Sequence, residues 1–279
     1  MKKEILLTAL FALIIAGCQK PTEVQLVDEE PTLNVEQVDE PDPTVERAAV
    51  DSSALLPREQ QKFAGFVTIN SIRFDWGQGV RSIVVAKVLV ENRSLPIPIN
   101  NRRVFYGMPL GIVRVNGDIM LPRERRFATV SAGYEYLREI MNHVPRRTYS
   151  FTIDSLGMLP FVVQAPENLT VQSPVGGARV PRDKNLELRW TGQGDLSFVI
   201  SRITTNTAGE TKSQPLLNVR AKRNDGRAVL KKEFLSQLDP GLYLFTFVIA
   251  NRDERVTNRW QIKTLVQASS IYNVVVGLI

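Results

Sequence analysis

From Phe63 onward, apolar and polar residues recur in short runs rich in β-branched side chains. Phe66-Val67-Thr68-Ile69-Asn70-Ser71-Ile72-Arg73-Phe74 and Ile83-Val84-Val85-Ala86-Lys87-Val88-Leu89-Val90 open the series. Leu110-Gly111-Ile112-Val113-Arg114-Val115 and Tyr149-Ser150-Phe151-Thr152-Ile153 continue it. Runs of this composition, closed by turn residues such as Trp76-Gly77-Gln78-Gly79, predict strands and an all-β body. Asn116-Gly117 between Val115 and Ile119 predicts a tight hairpin, because both residues tolerate the positive φ of a type I′ turn. One stretch departs from the pattern. Tyr134, Leu137, Ile140, Met141 and Val144 recur at helical spacing, with Ser131 as cap and Pro145 as stop, and predict a short helix over 131–144.

The N-terminal residues follow a different pattern. Met1-Lys2-Lys3 is a charged start, Ile5 to Ala16 is apolar except for Thr8, and Ile15-Ala16-Gly17-Cys18 closes the run. This is the layout of a secretory signal. Twelve residues at about 1.5 Å each span about 18 Å, short of a hydrocarbon core of about 30 Å, so a permanent span is not expected. The segment resembles the lipobox of bacterial lipoproteins, with small residues before an obligatory Cys. The resemblance implies cleavage after residue 17 and a diacylglyceryl thioether on Cys18, the only cysteine of the chain. In the enterobacterial form of that family an Asp after the Cys retains the protein at the inner membrane. Gln19 stands there instead, which implies an outer-membrane address, periplasmic or surface-facing.

Residues 19 to 62 carry eleven acids and four bases, with prolines in Glu30-Pro31 and Glu40-Pro41-Asp42-Pro43 and no aromatic residue. Such a segment cannot bury enough apolar surface to offset the entropy of ordering, and it reads as a disordered tether. As a flexible coil its ends lie roughly 35–40 Å apart. A second possibility stays open, that this acidic strip folds back on the protein's own basic surface.

A second run of strands follows Ala165-Pro166-Glu167-Asn168, taken as a domain junction: Leu186 to Trp190, Leu196 to Ile200, Leu242 to Ile249, and a final pair at Arg259 to Ile262 and Tyr272 to Val276. Leu188-Arg189-Trp190-Thr191-Gly192 and Leu238-Asp239-Pro240-Gly241-Leu242-Tyr243 resemble the second strand and the tyrosine corner of fibronectin type III and immunoglobulin-like domains. The resemblance covers residues 166 to 279 and implies a β-sandwich, with no implication for function. The expected organisation is a signal at 1–17, a lipidated Cys and tether at 18–62, a β-sandwich with an inserted helix at 63–165 and an Ig/fibronectin III-like β-sandwich at 166–279. The halves also share similar motifs around Trp76 and Trp190 and around Tyr149 and Tyr243, at intervals of 73 and 53 residues, which suggests a repeat with an insertion in the first copy.

Charge sharpens this picture. Residues 63 to 279 carry seventeen acids and twenty-nine bases, twenty-two of them arginine, so a basic body sits on an acidic tether. Arg102, Arg103, Arg123, Arg125, Arg126, Arg146 and Arg147 form the densest group. Arginine suits phosphate and carboxylate, so these residues are candidates for an anionic envelope glycan, a lipid phosphate or an acidic protein partner. Nucleic acid does not fit the address. The alternative is that they lie on different faces and pair with nearby acids.

Catalytic chemistry has little to draw on. The single histidine, His143, has Ser150, Ser155 and Asp154 near it in sequence, but no Gly-x-Ser-x-Gly elbow exposes a nucleophile. No metal-ligand spacing, phosphate-cradling glycine loop or cysteine pair occurs in the body, and no cofactor is expected. The chain therefore reads as a lipid-anchored, non-catalytic binding or scaffolding module of the bacterial envelope. Two alternatives remain: an envelope enzyme acting on glycans, and a structural subunit of an envelope assembly.

Overall fold

A computed structural model describes residues 63–91, 97–99, 102–104, 106–127, 130–141, 143–156, 160–205, 211–220, 226–257 and 261–279. The signal, Cys18 and the tether lie outside the described residues. In chain order the strands are β1 (Gly65–Asp75), β2 (Val80–Val90), β3 (Ile97–Ile99), β4 (Arg102–Val104), β5 (Val113–Val115) and β6 (Asp118–Ile119). Next come β7 (Leu121–Phe127), β8 (Val130–Glu139), β9 (Thr148–Ile153), β10 (Phe161–Gln164), β11 (Thr170–Ser173) and β12 (Arg179–Val180). β13 (Leu186–Thr191), β14 (Asp195–Thr205), β15 (Thr211–Arg220), β16 (Arg227–Leu230), β17 (Gly241–Val256) and β18 (Lys263–Leu278) complete the strands among the described residues, with a 3-10 turn at Asp154–Leu156 and a helical turn, α1 (Lys232–Leu235), before β17. The all-β expectation holds.

Eight strands form one sheet in the order β15-β14-β17-β18-β1-β2-β8-β7, and β12 joins the end of β18 as a ninth. β1 and β18 run parallel, from Gly65 opposite Thr264 to Asp75 opposite Val274. The sheet is thus continuous across residue 165. The C-terminal strand lies between β17 and β1, so Ile271 to Leu278 is a buried interior strand rather than an open edge.

Successive side chains on a strand point to opposite faces, and this alternation locates the cores. Val266 and Ala268 of β18 pack with Val67, Ile69, Tyr149 and Phe151, under a four-stranded sheet ordered β10-β9-β5-β6. Tyr272, Val274 and Val276 of β18 pack with Trp190, Phe198 and Phe247, under a three-stranded sheet ordered β11-β13-β16. All five β18 residues share one face, so both small sheets lie on the same side of the large one. Each large side chain buried this way contributes about 1.5–3 kcal/mol. Asp75 fastens the two parts together: its carboxylate accepts the backbone N–H of Gly77 and of Gly176, each at 2.9 Å.

Residues 131–144 form no helix. Val130–Glu139 is strand β8, bonded to β2 on one side and β7 on the other. The helical spacing of Tyr134, Leu137, Ile140, Met141 and Val144 does not decide the backbone, which is paired on both sides as a strand. Ala132 and Tyr136 enter the core side, whereas Tyr134 and Met141 are exposed. Tyr136 is anchored there by Leu110, whose N–H donates to its hydroxyl at 2.7 Å. Gly133, at φ +76, lies so close to Gly107 that a Cβ on Gly133 would strike the Gly107 backbone oxygen, and one on Gly107 would strike that of Tyr134. Tertiary pairing has outweighed a weak local helical preference.

Two other expectations are resolved. Asn116 and Gly117, at φ 51 and 87, turn β5 into β6 as the hairpin signal indicated. The repeat does not hold. Trp76 follows the end of β1 in the large sheet and stacks on Phe74, while Trp190 lies within β13 in the three-stranded sheet.

Candidate functional site

The seven candidate arginines occupy three places. Arg102 and Arg103 are on β4, which pairs with β3 in a two-stranded hairpin. Arg123, Arg125 and Arg126 are on β7, the edge of the large sheet. Arg146 and Arg147 precede β9, beside β10: the N–H of Ala165 donates to Arg147 O, and Gln164 Nε2 donates to Arg146 O. β10, of the four-stranded sheet, packs against β17 and β18 of the large sheet, and β7 lies four strands beyond β18. At about 4.8 Å per strand, that separates the last two groups by roughly 19 Å.

Many arginines of the first half have local partners. Arg126 pairs with Glu124 at 2.8 Å, which holds the Glu124 carboxyl below the usual carboxylate range, helped by a hydrogen bond from Ser131. Arg138 pairs with Asp118 and Arg114 with Asp154, each at 3.2 Å, and Arg146 pairs with Glu167. The Arg147 guanidinium lies 5.8 Å from the centre of the Tyr149 ring. Arg123 is exposed on the β7 edge.

Arg125 differs from its neighbours. It sits at a bulge in β7, where the register shifts between Glu124 and Arg126, and turns inward to Glu135 at 3.9 Å. Glu135 also receives Lys87 Nζ at 2.9 Å, and the three side chains are only 10–14% exposed. Sequence reasoning missed this group. Its one signal was Lys87, the only charge in the apolar run from Ile83 to Val90.

Lys87 and Glu135 belong to the second face of the large sheet, the one turned away from both small sheets. Across it, Lys87, Thr68, Gln267 and Arg252 stand opposite one another, and so do Val85, Asn70, Ser269 and Ala250. Ser269 Oγ donates to Asn70 Oδ1 at 2.5 Å, and Thr246 Oγ1 donates to Asn273 Oδ1 at 2.7 Å. Thr68 Oγ1 and Gln267 Oε1 are buried with no partner among the described residues. Apolar clusters flank this polar row: Phe63, Phe66, Leu89 and Leu265 at one end, Ile72, Phe74, Val248 and Ile271 at the other.

His143 lies in a turn. Its Nδ1 is 2.9 Å from the Tyr149 hydroxyl, and the two rings stack. Burial, followed by the nearby Arg73 charge, lowers its pKa. Asp154 is paired with Arg114, and the partner that His143 meets is a tyrosine rather than Ser150 or Ser155. Among the described residues, no group of three or more His, Cys, Asp or Glu is placed to hold a metal ion, and no helix is long and apolar enough to cross a membrane. No family model matches the chain, and no curated protein matches it either.

Proposed function

We propose that this chain is a lipid-anchored outer-membrane protein whose β body is a non-catalytic binding or scaffolding module. The observation that carries the proposal is the order of segments: an apolar run ending Ile15-Ala16-Gly17-Cys18, then forty-four residues with eleven acids and four bases, then a basic body. A diacylated cysteine with a further acyl chain anchors firmly where one chain would not, which leaves the following segment to supply reach.

Residues 166–279 are proposed to be a fibronectin type III-like sandwich. Support comes from the three-stranded sheet β11-β13-β16 facing β15-β14-β17-β18, and from Trp190 of β13 against Phe247 at 5.7 Å. The Tyr243 hydroxyl donates to the Asp239 carbonyl at 2.8 Å, the back-bond of a tyrosine corner. Such modules present edges and loops to partners. An anionic envelope glycan or lipid phosphate would meet the β7 edge, where Arg123 and Arg126 are exposed. Those are the two arginines to reverse in a test, because Arg125 is tied inward to Glu135.

Purification of the full-length protein from its own membranes in mild detergent tests the proposal. An anionic glycan, a lipid or a stoichiometric protein that co-purifies intact, and is lost with Arg123→Glu and Arg126→Glu together, agrees with it. Release of a bound glycan in shortened form would show catalysis and contradict it.

A further inference from the structure

We propose that the end of the large sheet remote from Phe63 is a docking surface for an anionic lipid bilayer. β1 carries the chain about 33 Å from Gly65 to Asp75, at about 3.3 Å per residue, and the turn that follows opens this far end. Val80 stands opposite Asp75, and Asp75 opposite Val274. One step further on, Gly277 of β18 lies between Leu242 of β17 and Arg179 of β12. The loop between β11 and β12 packs on the same end. A Cβ on Gly77 would lie 2.6 Å from Gly176 O, and the Gly177 N–H donates to Val275 O at 2.8 Å. The turn after β1 and this loop are thus held together as one surface.

Exposure sets this end apart from the strands that lead to it. Residues 243–250 of β17 are buried throughout, yet Leu242 is 54% exposed, Val80 53% and Val175 58%. Trp76 is half-buried and stacks on Phe74, with ring centres 6.3 Å apart. The register places Phe74, Arg81, Leu242 and Arg179 on one face, the one turned away from the small sheets. From Leu242 on β17 to Arg81 on β2 is three strand spacings, about 14 Å.

Charge points to the occupant. Arg81 and Arg179 are exposed and have no ion-pair partner among the described residues. Arg126, Arg146, Arg189 and Arg255, by contrast, each pair with a nearby acid. Asp75, the acid of this turn, is engaged by the N–H groups of Gly77 and Gly176. Aliphatic side chains on turns and strand ends, a tryptophan and two unpaired guanidinium groups match the chemistry of a membrane interface. The aliphatic groups enter the acyl boundary, the indole sits at the level of the headgroups, and the arginines take lipid phosphate. Each arginine adds about fivefold to partition onto an anionic surface. This surface is separate from the β7 edge, which lies two strands beyond β2, and it does not depend on an acyl group at Cys18.

Tryptophan quenching by brominated-chain phospholipid tests the proposal, with full-length protein purified from its own membranes and returned to vesicles. One set of vesicles is phosphatidylcholine alone, and the other contains phosphatidylglycerol as well. In the anionic vesicles the account expects quenching that disappears with Trp76→Phe, whatever holds the rest of the chain. Arg81→Glu with Arg179→Glu lowers the ratio of docked to undocked protein by at least about twenty-five-fold. Val175→Asp with Leu242→Asp also abolishes the quenching, and because both side chains are exposed the thermal melt stays near normal. Arg123→Glu with Arg126→Glu leaves the quenching unchanged. Absence of quenching that depends on Trp76 would overturn the proposal, as would equal quenching in neutral vesicles. A loss from the Arg123 and Arg126 pair as large as that from Arg81 and Arg179 would overturn it too, by placing the contact at the β7 edge.

Discussion

Glu135 shows how one side chain can decide a local energy balance. It is held between Lys87 and Arg125 in a region where water reaches only about a tenth of each side chain. Removing one partner from a buried charge group costs about 3–5 kcal/mol, whereas replacing a pair by apolar groups of similar size is often close to neutral. Glu135→Ala is therefore expected to lower stability by about 3–5 kcal/mol in urea denaturation, and replacement of all three charges by Lys87→Met, Arg125→Met and Glu135→Leu by much less. Equal losses in the two variants would show that volume rather than charge governs the site. The sequence could not disclose this group, since nothing local to Lys87 or Arg125 indicates that Glu135 is their partner. Tyr243 differs, because its hydroxyl bonds the Asp239 carbonyl within the short stretch Leu238-Asp239-Pro240-Gly241-Leu242-Tyr243.

At the scale of elements, legibility followed the locality of the cause. The Asn116-Gly117 turn and the long apolar strands were readable because turn chemistry and β-branching act within a few residues. β8 was not, because its strand form depends on β2 and β7, distant in sequence, and on the approach of Gly133 to Gly107. The two edges carry features that discourage further pairing: Pro122 and three arginines on β7, Pro215 beside a register shift in β15. β18 is the opposite case, bonded along most of its length on both sides. A proline within it must remove a ladder bond. Ile271→Pro is expected to leave no soluble folded protein by circular dichroism, while Ile271→Val at the same buried position costs only about 0.5–1.5 kcal/mol. A folded Ile271→Pro variant with a near-normal melt would mean that β18 does not hold the sheet together.

For the whole molecule, the parallel pairing of β1 with β18 unites strands from both ends of the body into one sheet, with two smaller sheets on one side. The composition had indicated two sandwiches in series, and it could not show that one strand serves both cores, since Val266 and Val276 look alike in sequence. The charge division between acidic residues 19–62 and basic residues 63–279 was legible from residue counts alone, whereas the separation of the arginines into three places required the strand order. Lipidation of Cys18 as the fixed end of the chain is the central proposal. Mass spectrometry of the N-terminal peptide from protein purified from its native membranes tests this most directly. The account predicts a peptide that begins at Cys18 and carries a diacylglyceryl group with a further acyl chain; an unmodified Cys18, or a peptide that still begins at Met1, would contradict it.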